Sequence, residues 1–131
     1  MMIALGDIRR VTAVASAPVT GSGTVLVWVR WDIGADGSVD YSRSNVQDVS
    51  VRKEAADGTY TVEVPKMRDW GALAATIIES EPGTKVSLRA ASDSTFVVHC
   101  YRTAIQGQVI SYELANPLPG DQLNLSCWGE F

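Results

Sequence analysis

The sequence predicts an all-β protein, an antiparallel β-sandwich or jelly roll with an extended N-terminal arm, and three observations lead there. Short runs rich in Val, Ile, Thr, Tyr and Trp recur along most of the 131 residues. Turn chemistry separates them at near-regular intervals, at Ala35-Asp36-Gly37, Asp57-Gly58, Glu81-Pro82-Gly83, Ser92-Asp93-Ser94 and Asn116-Pro117-Leu118-Pro119-Gly120. Several runs alternate apolar and polar residues, the period of a strand buried on one face.

The first stretch, residues 1–23, differs in kind from the rest. It closes on Thr20-Gly21-Ser22-Gly23, a flexible linker composition, and its apolar residues are too few to bury anything alone. It reads as an arm that docks on a neighbour, with Ile3, Leu5 and Ile8 as its contact residues. The plainer alternative is a first edge strand followed by a loop.

The sandwich domain then spans residues 24–131. Thr24 to Asp32 opens it, and Ser38 to Tyr41 follows the Ala35-Asp36-Gly37 turn. Val46 to Arg52 and Thr59 to Val64 are joined across Asp57-Gly58, a pair suited to a turn with positive φ. Asp69 to Glu79 could start a helical turn after an Asp cap, but Thr76-Ile77-Ile78 is β-branched, and a strand from Leu73 is expected. Lys85 to Ala90 and Thr95 to Arg102 form a hairpin across Ser92-Asp93-Ser94. Val109 to Leu114 and Leu123 to Phe131 complete the set, on either side of the Pro-rich breaker.

Parity assigns the faces. In Thr59 to Val64, Tyr60, Val62 and Val64 face inward and Thr59, Thr61 and Glu63 outward. Thr24 to Asp32 is apolar on both sides, with Val25, Val27, Val29 and Trp31 on one and Leu26 and Trp28 on the other. Such a strand is covered twice, by the core and then by the arm or a second copy, which predicts a homo-oligomer. Cys100 and Cys127 share parity with apolar neighbours and read as small buried hydrophobes, a bridge requiring Cα atoms within bonding distance.

Composition narrows the function. A net charge of −4 and a pI near 4.8 remove the footprint of a nucleic-acid binder, which needs clustered Lys and Arg to neutralise phosphate. No run approaches the roughly 20 apolar residues of a membrane-spanning helix, so no membrane insertion is expected. Arg9 and Arg10 follow rather than precede the first apolar residues, so no secretory signal is read and folding in a cytoplasm is expected.

The chemistry of catalysis is missing from the pattern. His99 is the only histidine and has no nucleophile motif beside it. Asp32, Asp36 and Asp40 recur every fourth residue, whereas a calcium loop places its oxygens at alternate positions, so they read as solvated turn acids. No catalytic, cofactor-binding or metal-binding residue is expected. The four tryptophans offer contacts instead. Trp28 and Trp31 suit core or subunit packing, and Trp70 and Trp128 a partner or glycan contact.

One resemblance covers roughly Val25 to Phe131. An aromatic-rich early strand, a polar segment ending in a valine-alternating strand, and then Asp57-Gly58-Thr59-Tyr60-Thr61-Val62-Glu63-Val64 resemble small β-sandwich domains of tailed-bacteriophage structural proteins. Ser94-Thr95-Phe96-Val97-Val98 and the last strand continue the likeness. It implies a virion protein made in the host cytoplasm, commonly trimeric, of the capsid decoration, head-fibre or tail-fibre type. The partners it implies are further copies of the chain and a major capsid or tail protein, with no catalytic residues. With no heptad stretch or repeated shaft, a decoration protein or short spike fits better than a long fibre. The alternative expectation is a carbohydrate-binding module that recognises host surface glycan through Trp70 or Trp128.

Overall fold

The computed structural model describes residues 25–66, 69–79 and 81–130, the side chains of 25 and 69–72 excepted. The expected arm, with Ile3, Leu5 and Ile8, lies outside the described residues, as does the side chain of Trp70.

Among the described residues, nine strands form two antiparallel sheets packed face to face. They are β1 (Val25–Ile33), β2 (Val39–Ser44), β3 (Ser50–Lys53), β4 (Thr59–Glu63), β5 (Asp69–Ile78), β6 (Thr84–Ala90), β7 (Thr95–Gln106), β8 (Val109–Leu114) and β9 (Gln122–Glu130). The first sheet runs β2-β1-β9-β5 and the second β3-β4-β7-β6, with β8 added to β7. The chain therefore crosses between sheets after β2, β4, β5 and β8.

The core is what the alternation dictates. Val27, Val29 and Trp31 of β1 and Leu123, Leu125 and Cys127 of β9 meet Tyr60 and Val62 of β4 and Phe96, Val98 and Cys100 of β7. All of these are fully buried, and each large apolar side chain among them contributes about 1.5–3 kcal/mol of burial. Trp31 and Tyr60 lie with ring centroids 5.7 Å apart, tilted at 51°, and join the two sheets through the core. Both cysteines are buried and free, one in each sheet.

Several boundaries move for local reasons. β3 starts at Ser50 rather than Val46 because the preceding residues are used elsewhere: Asn45 lines the edge of β1, and Asp48 sits at φ +61. The Asn45 side chain accepts from Trp28 N (2.9 Å) and donates to Leu26 O (2.8 Å), so it replaces β2 where that strand ends. β5 begins at Asp69, with a bulge between Trp70 and Leu73 that absorbs Gly71, and no helix forms there. β7 continues to Gln106, past the expected Arg102.

The register defines two ends. At one, Val25 pairs Gly129 and Asp69 pairs Glu130, so the 1–24 segment joins the body there. At the other, Ile33 N donates to Asp121 O and Gly120 N to Ile33 O, stitching the Pro117–Gly120 loop to β1.

Candidate interaction surface

The second end is where the structure builds something the core does not require. β7 is the longest strand, with β6 along one edge as far as Arg102. Its other edge is shared: β4 covers Thr95 to His99 and β8 covers Tyr101 to Gln106. The handover falls at Cys100, whose N–H donates to Gly58 O (2.8 Å) and whose carbonyl accepts from Ala115 N (3.0 Å).

Gly58 is at this junction because nothing larger fits. Its φ is +66, and a Cβ there would lie 2.5 Å from Cys100 O and 2.6 Å from Ala115 O. Asn116 holds the corner: its Oδ1 accepts from Gly58 N at 2.7 Å, and its side chain packs on Gly37, φ +76, where a Cβ would also collide. The Tyr60 hydroxyl donates to Gly37 O at 2.5 Å. Three turns far apart in sequence are thus tied at the root of β8.

Beyond the junction, β7 and β8 continue as a two-stranded ribbon. Among the described residues, β7 from Thr103 onward has only β8 beside it, and all six β8 residues are exposed. Pairing places Ile105 beside Ile110, Thr103 beside Tyr112 and Tyr101 beside Leu114, so these share the face opposite the core. Ile105, Ile110, Tyr112 and Leu114 are 67%, 64%, 55% and 41% exposed, a contiguous apolar stripe. Lys85 of β6 places its ammonium 4.8 Å from the Tyr112 ring centroid, fixing that ring by a cation–π contact. The opposite face carries Arg102, Ala104, Gln106, Val109, Ser111 and Glu113.

The tryptophans divide between core and surface. Trp31 is fully buried within one chain, so of core and subunit packing it takes the core, and the expectation of a Trp31 subunit contact is corrected. Trp28 is half-buried on the outer face of the first sheet, where the Arg30 guanidinium lies 4.8 Å from its ring centroid. Trp128 is 45% exposed on the same face. Trp28 pairs Ser126 and Leu26 pairs Trp128, which makes the two indoles diagonal neighbours. Arg30 and Trp128 therefore supply, within one chain, part of the second cover that β1 requires.

The other candidate residues do not converge. His99 stands on the outer face of β7 with its ring 6.1 Å from that of Tyr101. Asp32 accepts from Gln122 Nε2 at 3.0 Å and lies 3.7 Å from Arg43, while Asp36 is in the 3₁₀ turn at φ +56 and Asp40 is exposed. Among the described residues no group of three His, Cys, Asp or Glu could hold a metal ion, and no helix is long and apolar enough to cross a membrane. Burial pushes the Cys100 and Cys127 thiols up to about 12, and the Glu79 and Asp121 charges add to the effect at Cys100. A thiol held protonated in this way is a poor nucleophile.

The ribbon escaped the sequence reading, although a signal existed. Inward alternation in β7 stops after Cys100, and Val109 to Leu114 carries apolar residues on both parities across the short Gly107-Gln108 link. Compared with models of known protein families, curated proteins and solved structures, the chain matches none.

Proposed function

We propose that the protein is a non-catalytic assembly subunit of a bacteriophage virion, a capsid decoration protein or short head or tail spike. The observation that carries the reading is the apolar ribbon, which projects from one end of a rigid sandwich while the N-terminal segment joins at the other. Soluble monomers rarely expose large contiguous apolar patches, and four large apolar side chains in one exposed stripe mark an interaction surface. In this reading the sandwich is the displayed part, copies associate with one another, and the arm, through Ile3, Leu5 and Ile8, binds a major capsid or tail protein with avidity multiplied across the oligomer. The resemblance of Val25 to Phe131 to phage sandwich domains supplies the virion setting.

The test is electron microscopy of particles purified from the source culture, labelled with antibody raised against residues 24–131. Label at regular positions on heads or tails is expected. Unlabelled particles, with the protein remaining in the particle-free fraction, would sink the reading.

A second reading rests on the diagonal Trp28–Trp128 pair. Two indoles on a sheet face, beside Asn124 and Ser126, suit stacking on a sugar ring with hydrogen bonds to its hydroxyls. Binding of the full chain on a glycan array, abolished in Trp128→Ala with an unchanged circular dichroism spectrum, would establish a host-glycan module. Absence of binding to every glycan would remove it.

A further inference from the structure

The ribbon's free edge has a geometry of its own. Ala115 N points to Cys100 O across the β7 side, so in the alternating pattern of an antiparallel strand Glu113, Ser111 and Val109 also direct their backbone groups toward β7. Ile110, Tyr112 and Leu114 therefore turn both N–H and C=O toward the open edge. They are the same residues whose side chains form the apolar stripe.

Open edges invite pairing, and proteins guard them with charge, bulges or cover. The outer strands β2, β3, β5 and β6 are guarded, and the remaining open backbone of the ribbon, β7 beyond Arg102, offers only Thr103 and Ile105 against three residues on β8. β2 carries Asp40 and Arg43 and a register shift at Asp32/Ile33. β3 carries Arg52, paired with Glu54 and Glu63. β5 has the Trp70/Leu73 bulge and packs beside β6, which itself carries Lys85 and Arg89. β8 has no proline and no bulge, and its single charge, Glu113, sits opposite Arg102 on the other face.

We infer that the open edge of β8 docks on the β8 edge of a second copy of this chain, antiparallel, about a twofold axis at Tyr112. In that register Tyr112 faces its own counterpart and Ile110 faces Leu114 of the second copy. Every outward N–H and C=O of the three residues then finds a partner, six hydrogen bonds in all by the antiparallel pattern. Apolar side chains meet apolar ones, and Glu113 falls opposite a serine rather than another carboxylate, so charge does not oppose the pairing. Two ribbons, each marginal alone as a pair of strands, become one four-stranded sheet. The contact is isologous and closes at two copies. The inference rests on the self-association in the reading above and is independent of any virion.

The test is disulfide trapping in the full chain, where Cys100 and Cys127 are buried and do not compete. A hydrogen-bonded pair holds its Cα atoms about 5.5 Å apart, within disulfide reach. Tyr112→Cys under mild oxidation with oxidised glutathione should give a covalent dimer on a non-reducing gel. Ser111→Cys should stay monomeric, because its counterpart lies diagonally at about 7–8 Å. Trapping through Ser111→Cys instead would overturn the register. A folded Tyr112→Cys chain that never cross-links would overturn the interface. Cross-linking that appears only after deletion of residues 1–23 would also overturn it, since the chain's own arm would then be the occupant of the edge.

Discussion

Gly58→Ala separates conformational strain from spatial conflict at the point where β4 hands β7 over to β8. The left-handed backbone alone costs an L side chain about 1–2 kcal/mol. The added methyl carbon would also lie 2.5 Å from Cys100 O, 2.6 Å from Ala115 O and 3.0 Å from Ala115 N, all backbone atoms that no rotamer change can clear. Relief requires β4 and the root of β8 to part, which weakens the Cys100–Gly58 and Ala115–Cys100 hydrogen bonds, worth about 1 kcal/mol each. The total loss is about 3–4 kcal/mol. Gly107→Ala is the control, because Gly107 has nearly the same φ, +62, but nothing within 4 Å of its would-be Cβ. It should lose only about 1–2 kcal/mol. Urea unfolding followed by tryptophan fluorescence measures both. With a slope of about 1–3 kcal/mol/M, the two midpoints should differ by about 1 M. Equal midpoints would refute the argument that close approach, rather than φ, places glycine at 58.

Three further outcomes follow from the same geometry. Asn45→Ala leaves Trp28 N and Leu26 O without their partner along β1 and should cost about 1–2 kcal/mol in the same urea assay, whereas an exposed alanine replacement of Ser42 should be neutral. Stability should fall with alkaline pH. The folded thiols of Cys100 and Cys127 titrate at about 12 and unfolded ones near 8.5, so their contribution is complete below about pH 8.5 and is lost as pH rises toward 12. The loss should reach roughly 2–3 kcal/mol by about pH 9.5, and Tyr60, also raised by burial, adds to it at higher pH. A Cys100→Ala, Cys127→Ala chain should show a flatter profile, measured as unfolding free energy against pH. Asp121→Ala removes the carboxylate that accepts from Leu118 N at 2.9 Å in a fully buried site and should cost about 1–3 kcal/mol by thermal unfolding.

The strands were legible because their sequences obey a period of two and their turns use Gly, Pro, Asp and Asn in roles only those residues fill. Tyr60, Val62, Phe96, Val98, Leu123 and Leu125 all point into the core as alternation requires. What sequence alone could not place were the substitutions of one interaction for another. Nothing local says that Asn45 will act as a strand for Leu26 and Trp28, or that Gly71 will be absorbed by a bulge. Leu26 and Trp28 predict a second cover for β1, and nothing local says that part of it comes from Arg30, stacked on Trp28, and from Trp128, diagonal to it. The ribbon was hidden for a different reason. Parity alone turns Ile105, Ile110 and Tyr112 outward, but their projection on a two-stranded ribbon depends on where β4 and β6 stop along β7, which is a property of register between distant segments rather than of any one of them.

If the ribbon is an adhesive edge, it shows first in the mass of the full chain in solution, measured by size-exclusion chromatography with light scattering. The prediction is a species of two 14.1 kDa protomers, which an Ile110→Lys, Tyr112→Lys chain with an unchanged circular dichroism spectrum converts to monomers. A full chain that elutes as a monomer at every concentration, or an oligomer indifferent to both lysines, would contradict it.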